Sequence, residues 1–164
     1  MASTLRINFV TGGARRYVPL IQELARIPGR VEVALDATAI PAVADGEWTQ
    51  WTPSRVAGHL IAYARQSHEN LHRMAWMTDP IIKSTDDEGA AEREQWEQQT
   101  RARLLASLTT AVAESVDLLT ELPDASWGRP GQHPEGGRRS IRQHLQAMLE
   151  HFEEHIAQLE LMRR

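Results

Sequence analysis

The residues with the clearest chemical potential in this chain are its histidines. Seven occur among 164 residues, and there is no cysteine. His151 and His155 are four positions apart. An α-helix turns by roughly 100° per residue, so side chains four apart stand one above the other on one face. Two imidazoles at that spacing can share one metal ion. Met148 belongs to the apolar stripe of the same segment and lies nearly in line with His155, which turns both histidines toward the interior. His59 neighbours Val56, Leu60 and Tyr63 and falls on the inward flank of its own helix. Three histidines from two facing helices leave a fourth coordination position open, as catalytic metal sites do. The alternative is that these are hydrogen-bonded bundle histidines, because an i, i+4 pair arises readily by chance in polar helices.

A second motif competes. His68-Glu69-Asn70-Leu71-His72 has the H-E-x-x-H spacing of zinc proteases. Its second histidine falls on the polar face, beside Arg73 and roughly 120° from Leu60. No third histidine follows at the spacing such enzymes use, and Glu92 in an acidic run carries little specificity as a third ligand. No sheet is visible to support the helix, so a solvated face explains the motif as well. His144 shares the face of His151 but lies roughly 10 Å further along the axis, too far for the same ion. It reads as a packed or hydrogen-bonded residue. His133 lies in a glycine-rich segment before Pro134, where it is either a turn residue or a contact at the mouth of the site.

These side chains must be positioned by helices. Residues Tyr17 to Thr38 carry Leu20, Leu24, Ile27, Val31 and Leu35 at helical spacing, interrupted by Pro28-Gly29. Proline suits a first turn, so the pattern predicts a short lead-in helix and a second one starting near Pro28. Ile40 to Gln50 reads as a connector. Thr52 then caps a helix with Pro53 at its first position, running to about Met77 with a stripe of Val56, Leu60, Tyr63, Ser67, Leu71 and Met74. Asp79-Pro80 ends it, and Ile81 to Ala90 reads as a loop. A third helix is predicted from about Glu92 to Leu122, with Leu104, Leu105, Leu108, Val112, Val116 and Leu119 inward. The glycine- and proline-rich stretch Trp127 to Gly137 reads as an irregular loop over one end of the bundle. Ser140 and Gln143 form a capping box that opens the last helix. Its stripe is Ile141, Leu145, Met148, Phe152, Ile156 and Leu159. Helices joined by long loops make this an all-α, four-helix bundle. The expected organisation is an extension over residues 1–16 and one helical domain over 17–164.

Composition narrows the function. The net charge is −4 and hydrophobic residues make up 41%. The chain can bury one core, and no basic face calls for nucleic acid. Without cysteine there is no disulfide, thiolate ligand or cysteine nucleophile. The first dozen residues lack a signal-peptide core, and no run approaches the ~20 apolar residues that span a bilayer. A cytoplasmic location is expected. Lys83 is the one lysine against many arginines, a bias that suggests a GC-rich bacterial genome.

Three segments carry a family resemblance. Trp51-Thr52-Pro53-Ser54-Arg55-Val56-Ala57-Gly58-His59-Leu60 resembles the W-[ST]-P-x-x-V-x-x-H-L segment of DinB/YfiT-like proteins. His151 to Leu159 resembles their closing H-x-x-x-H-x-x-Q-[LI] helix. Trp127 to Gly137 resembles the R-x-G-x-H-P-x-x-G stretch that precedes it in one branch. The order and spacing agree from Tyr17 to Leu161. The resemblance implies a bundle with a divalent metal, zinc or nickel, on His59, His151 and His155. It also implies a small-molecule substrate and an S-transferase using a thiol of the mycothiol or bacillithiol type. Arg129, Arg138 and Arg139 could hold an anionic substrate, as could His133, although solubility and charge balance near the acidic helices account for the arginines better. Metal-dependent hydrolysis and a non-enzymatic, metal-binding stress-response bundle stay open, as does a homodimer. Glu150 and Glu154, the nearest candidate bases for hydrolysis, point roughly 100° off the ligand face.

Overall fold

The structure is a computed structural model that describes residues 16–36 and 51–162. Five α-helices and one hairpin follow in order: α1 Val18–Asp36, α2 Pro53–Trp76, α3 Asp87–Glu94, α4 Arg101–Glu121, β1 Pro130–His133, β2 Gly137–Ser140 and α5 Ile141–Leu161. The four long helices form the bundle. Both α1 and α2 pack against α4 and α5, so the order around the bundle is α1, α4, α2, α5. The expected connector over Ile40–Gln50 lies outside the described residues. So does the expected extension, apart from Arg16, whose guanidinium stands 4.7 Å from the Tyr17 ring centre.

Caps fix where the site-bearing helices begin. Thr52 Oγ1 accepts from the Arg55 N–H at 3.1 Å, with Pro53 in the first turn. At α5, Ser140 Oγ accepts from the Gln143 N–H while Gln143 Oε1 accepts from the Ser140 N–H. This is the reciprocal capping box expected from the sequence. Its stripe Ile141, Leu145, Met148, Phe152, Ile156 and Leu159 is buried throughout.

The structure departs from the sequence expectations in four places. Pro28 does not start a helix: α1 runs through it unbroken. A mid-helix proline forfeits one backbone hydrogen bond and costs about 3 kcal/mol. Leu24, Ile27 and Val31, all buried on one face across the proline, offset that cost and keep the axis continuous. Second, Asp87 to Ala90 is helical rather than looped. The Asp86 carboxylate accepts from the Gly89 N–H at 3.0 Å and caps α3. Third, the long helix predicted over 92–122 is divided. Gln95 takes a left-handed conformation, φ +47°, and a 3-10 turn over Trp96–Gln98 follows. Thr100 then caps α4 through the Arg103 N–H.

Trp96 is the reason for the division. Its indole is buried against Gly58, where a Cβ would lie 2.0 Å from the ring. A straight helix could not bring that ring onto α2. The fourth departure is the stretch 127–137. A 3-10 turn over Asp124–Gly128 leads into the antiparallel pair β1–β2, with Gly131 opposite Arg139 and His133 opposite Gly137. Gly137 supplies the positive φ of +68° that its turn requires. Within the described residues no helix is long and apolar enough to cross a membrane.

The Gly58–Trp96 contact gives a prediction. Gly58→Ala forces the buried indole to move. Urea unfolding is expected to show a loss of about 1–3 kcal/mol, the range for overpacking a filled core. An unchanged midpoint would mean that the indole is not seated there.

Candidate metal centre

The site lies where α2 faces α5, with α3 behind it. His59 comes from the second turn of α2, and His151 and His155 from successive turns of α5. The three imidazoles each offer a ring nitrogen, and those nitrogens all lie within 4.8 Å of one another. The ring centres are 4.5–5.1 Å apart. His59 Nε2 and His151 Nε2 are 2.8 Å apart. The bundle therefore brings together the three histidines singled out by spacing.

Two of them are oriented from the other end of the ring. Asp87 Oδ1 sits 2.7 Å from His59 Nδ1, and Asp87 Oδ2 accepts from Arg55 Nη2 at 2.6 Å. Gln158 Oε1 sits 2.7 Å from His155 Nδ1. Both oxygens are acceptors, so in the neutral rings the proton resides on Nδ1 and Nε2 carries the lone pair. That is the tautomer a metal needs, with the carboxylate–histidine arrangement that typically supports a ligand. Trp51 lies parallel to His155, with centres 6.2 Å apart, and Tyr63 lies 3.9 Å from His151.

Electrostatics favour the neutral form of His59 and His151. Burial lowers the His59 pKa, partly opposed by its bond to Asp87. His151 is pushed down to about 3, first by burial and then by the charges His155 and His59 would carry. Neutral nitrogen donors suit zinc, nickel and related divalent ions. The donor set thus fits such an ion, with no fourth ligand in the cluster among the described residues.

Two of the three histidines, His59 and His151, line a cleft of about 420 Å³. Tyr63, Lys83, His133 and Arg139 share its lining. Its outer wall is braced by Asn70, which accepts from the Lys83 N–H at 2.9 Å and donates to the Lys83 carbonyl at 2.8 Å. Residues 80–82 also bond to β1, through Gln132 N–H to the Pro80 carbonyl and Ile82 N–H to the Gln132 carbonyl. A separate depression of about 480 Å³ between α1 and α5 contains none of the histidines.

The other candidates separate cleanly. His133 faces the cleft. Arg129 does not line it: its guanidinium donates to the carbonyls of Met74 and Met77 and so closes the C-terminal end of α2. Glu150 and Glu154 are exposed. Of the H-E-x-x-H residues, Glu69 and His72 are exposed, and among the described residues none of the three joins a metal-competent cluster. His144 is buried as expected, yet both of its ring nitrogens lack a partner. Asp87 was not anticipated, because it was read as part of an acidic loop. Its signal was the Asp86–Gly89 cap, which places a carboxylate at the first position of a helix.

A model of the DinB superfamily matches residues 21–159. The chain belongs to the DinB superfamily. Among solved structures, it is similar to YfiT from Bacillus subtilis, described as a probable metal-dependent hydrolase with an unusual four-helix bundle topology. The identity is 21%, the match covers 88% of this chain and 83% of that one, and the TM-score is 0.75. That likeness confirms the DinB-type four-helix bundle. No curated protein matches the sequence.

His144 yields a prediction about pH. Burial, then the charges of Arg139 and His133, push its pKa down to about 3 from an ordinary 6.5. The unfolded chain binds this proton more readily than the fold. The stability is therefore complete above pH 6.5 and is lost as pH falls toward 3. Between pH 7.5 and 5 the loss from this residue is about 2 kcal/mol. Urea unfolding at those two pH values is expected to show a smaller decline for His144→Leu than for the parent. Equal declines would refute the assignment.

Proposed function

We propose that this DinB-superfamily protein is a divalent-metal-dependent enzyme of the thiol S-transferase type. His59, His151 and His155 are the ligands, and zinc or nickel is the metal. The carrying observation is the convergence of three imidazoles beside an open cleft, with the far nitrogens of His59 and His155 held by Asp87 and Gln158. When bound, a divalent ion supplies a Lewis-acidic centre with an open position that lowers the pKa of a thiol or water. The chain's own residues do the rest. Asp87 and Gln158 keep the rings in one tautomer, Trp51 and Tyr63 flank them, and the cleft holds a small-molecule substrate. The co-substrate thiol is of the low-molecular-weight kind, such as mycothiol or bacillithiol, and the protein acts in the cytoplasm.

The supply of bases supports a thiol over water. Asp87 is committed to His59 and Arg55, and Glu150 and Glu154 face solvent. Among the described residues, Glu135 on the exposed hairpin turn is the one carboxylate lining the cleft. A thiol ionises near pH 8.5 and needs a smaller shift than water, so it depends less on a neighbouring base. Hydrolysis is the second reading. It is the activity named for YfiT from Bacillus subtilis, and Glu135 is the residue it would call on.

Cobalt-substituted protein distinguishes the two. A low-molecular-weight thiol is expected to produce a sulfur-to-cobalt charge-transfer band, and to be consumed when an electrophile is added. Hydrolysis of ester or amide substrates at the same rate without thiol would favour the second reading. Asp87→Asn tests the orienting carboxylate. It is expected to weaken metal binding by 10–100-fold in a competition titration against a chelator. Unaltered affinity would mean that Asp87 does not serve the site.

A further inference from the structure

Beyond the metal ligands, the cleft has a second chemical character. His144 forms part of its lining, is only 3% exposed, and has no hydrogen-bond partner at either Nδ1 or Nε2. Buried polar nitrogens are normally paired, and an orphan calls for a partner the protein itself does not supply. Arg139 stands beside it on β2. Its guanidinium forms no ion pair or hydrogen bond with any described residue, although it is half-buried. Its positive charge is felt by Tyr63, His133 and His144, which surround the same space. The other arginines nearby are engaged: Arg129 on carbonyls, and Arg138 on Asp79 at 3.3 Å.

His133 is also set in one state. Its Nδ1 accepts from the N–H groups of Glu135 and Gly136 at 3.1 and 2.9 Å. In the neutral ring the proton must then sit on Nε2, which becomes a donor. Lys83 is paired with Glu69 at 3.4 Å, and among the described residues the exposed Glu135 is the one acidic group in the lining. The cleft thus holds a guanidinium without an ion pair among the described residues, an N–H donor and an orphaned imidazole.

We propose that this part of the cleft binds an oxyanion group of the substrate, a carboxylate or a phosphate, with Arg139 supplying the charge and His133 and His144 supplying N–H donors. The proposal rests on the reading of the neighbouring histidines as a reaction centre. It narrows that reading to acidic substrates whose reactive carbon lies a short distance from the anionic group. Arginine is suited to the task because its planar fork can engage two oxygens at once.

The test is calorimetric titration of the metal-loaded full chain with succinate, inorganic phosphate and uncharged succinamide. Arg139→Gln and Arg138→Gln are run alongside, with metal content measured on every sample. Succinate or phosphate is expected to bind at least tenfold more tightly than succinamide, and the tighter of the two identifies the oxyanion. Binding should fall at least tenfold in Arg139→Gln and persist in Arg138→Gln. The ring nitrogens of His144 should shift in ¹⁵N spectra of the parent on addition of the anion. Equal binding of all three probes, or anion binding that survives Arg139→Gln, would overturn the proposal. Metal content separates the two claims. Arg139-dependent anion binding to a protein that takes up no metal would uphold the oxyanion site while removing the metal reading.

Discussion

The constraint on which the rest of the site depends is the carboxylate of Asp87 reaching the Nδ1 end of His59. That contact decides which nitrogen of His59 faces inward and where the ring can rest. It also gives the short helix α3 its part in the site. A short helix capped by Asp86 places Asp87 at its start, and the same carboxylate draws in Arg55 from the first turn of α2. Arg55 in turn lies over Trp51 and Trp96, at 5.1 and 5.5 Å from their ring centres. The polar orientation of His59 and the packing of two tryptophans are thus one cluster. Loosening any member would let His59 turn.

Burial then sets the chemistry. Three imidazoles this close would repel one another if charged, and the surrounding apolar residues withhold the water that would stabilise their charge. Burial disfavours the charged form of His59 and His151, and Asp87 and Gln158 leave the Nε2 lone pairs of His59 and His155 facing the cluster. This arrangement has little value in a structural core, where Leu or Phe would pack with less cost, but it is what a cation of borderline softness requires. The hairpin completes the picture on the far side. It holds Arg139 and His133 over the cleft, and Asn70 pins the neighbouring segment through the backbone of Lys83.

Much of this was legible in the sequence, for identifiable reasons. Thr52-Pro53 and Ser140–Gln143 mark helix starts through local hydrogen bonding, which depends on few distant residues. With those two starts fixed, the 3.6-residue period places His59, His151 and His155 on inward faces. The parts that were not legible depend on contacts distant in the chain. Pro28 remains inside a helix because a buried face spans it. The break at Gln95 answers to Trp96 meeting Gly58, 38 residues away in sequence. The hairpin over 130–140 has glycine and proline where strand formers are usual, and it is held by the edge of residues 80–82 rather than by propensity. Asp87 was hidden because its acidic neighbours looked like a solvated run. Arg129 looked like a free cation until its partners proved to be two backbone carbonyls.

The central claim is that His59, His151 and His155 together hold one divalent metal ion. Elemental analysis of tag-free protein after metal reconstitution tests it most directly, comparing the parent with His59→Ala, His151→Ala and His68→Ala. The account predicts near-stoichiometric zinc or nickel in the parent and in His68→Ala, and loss in the other two variants. Metal retained in His151→Ala, lost only in His68→Ala, or absent from a folded parent would contradict it.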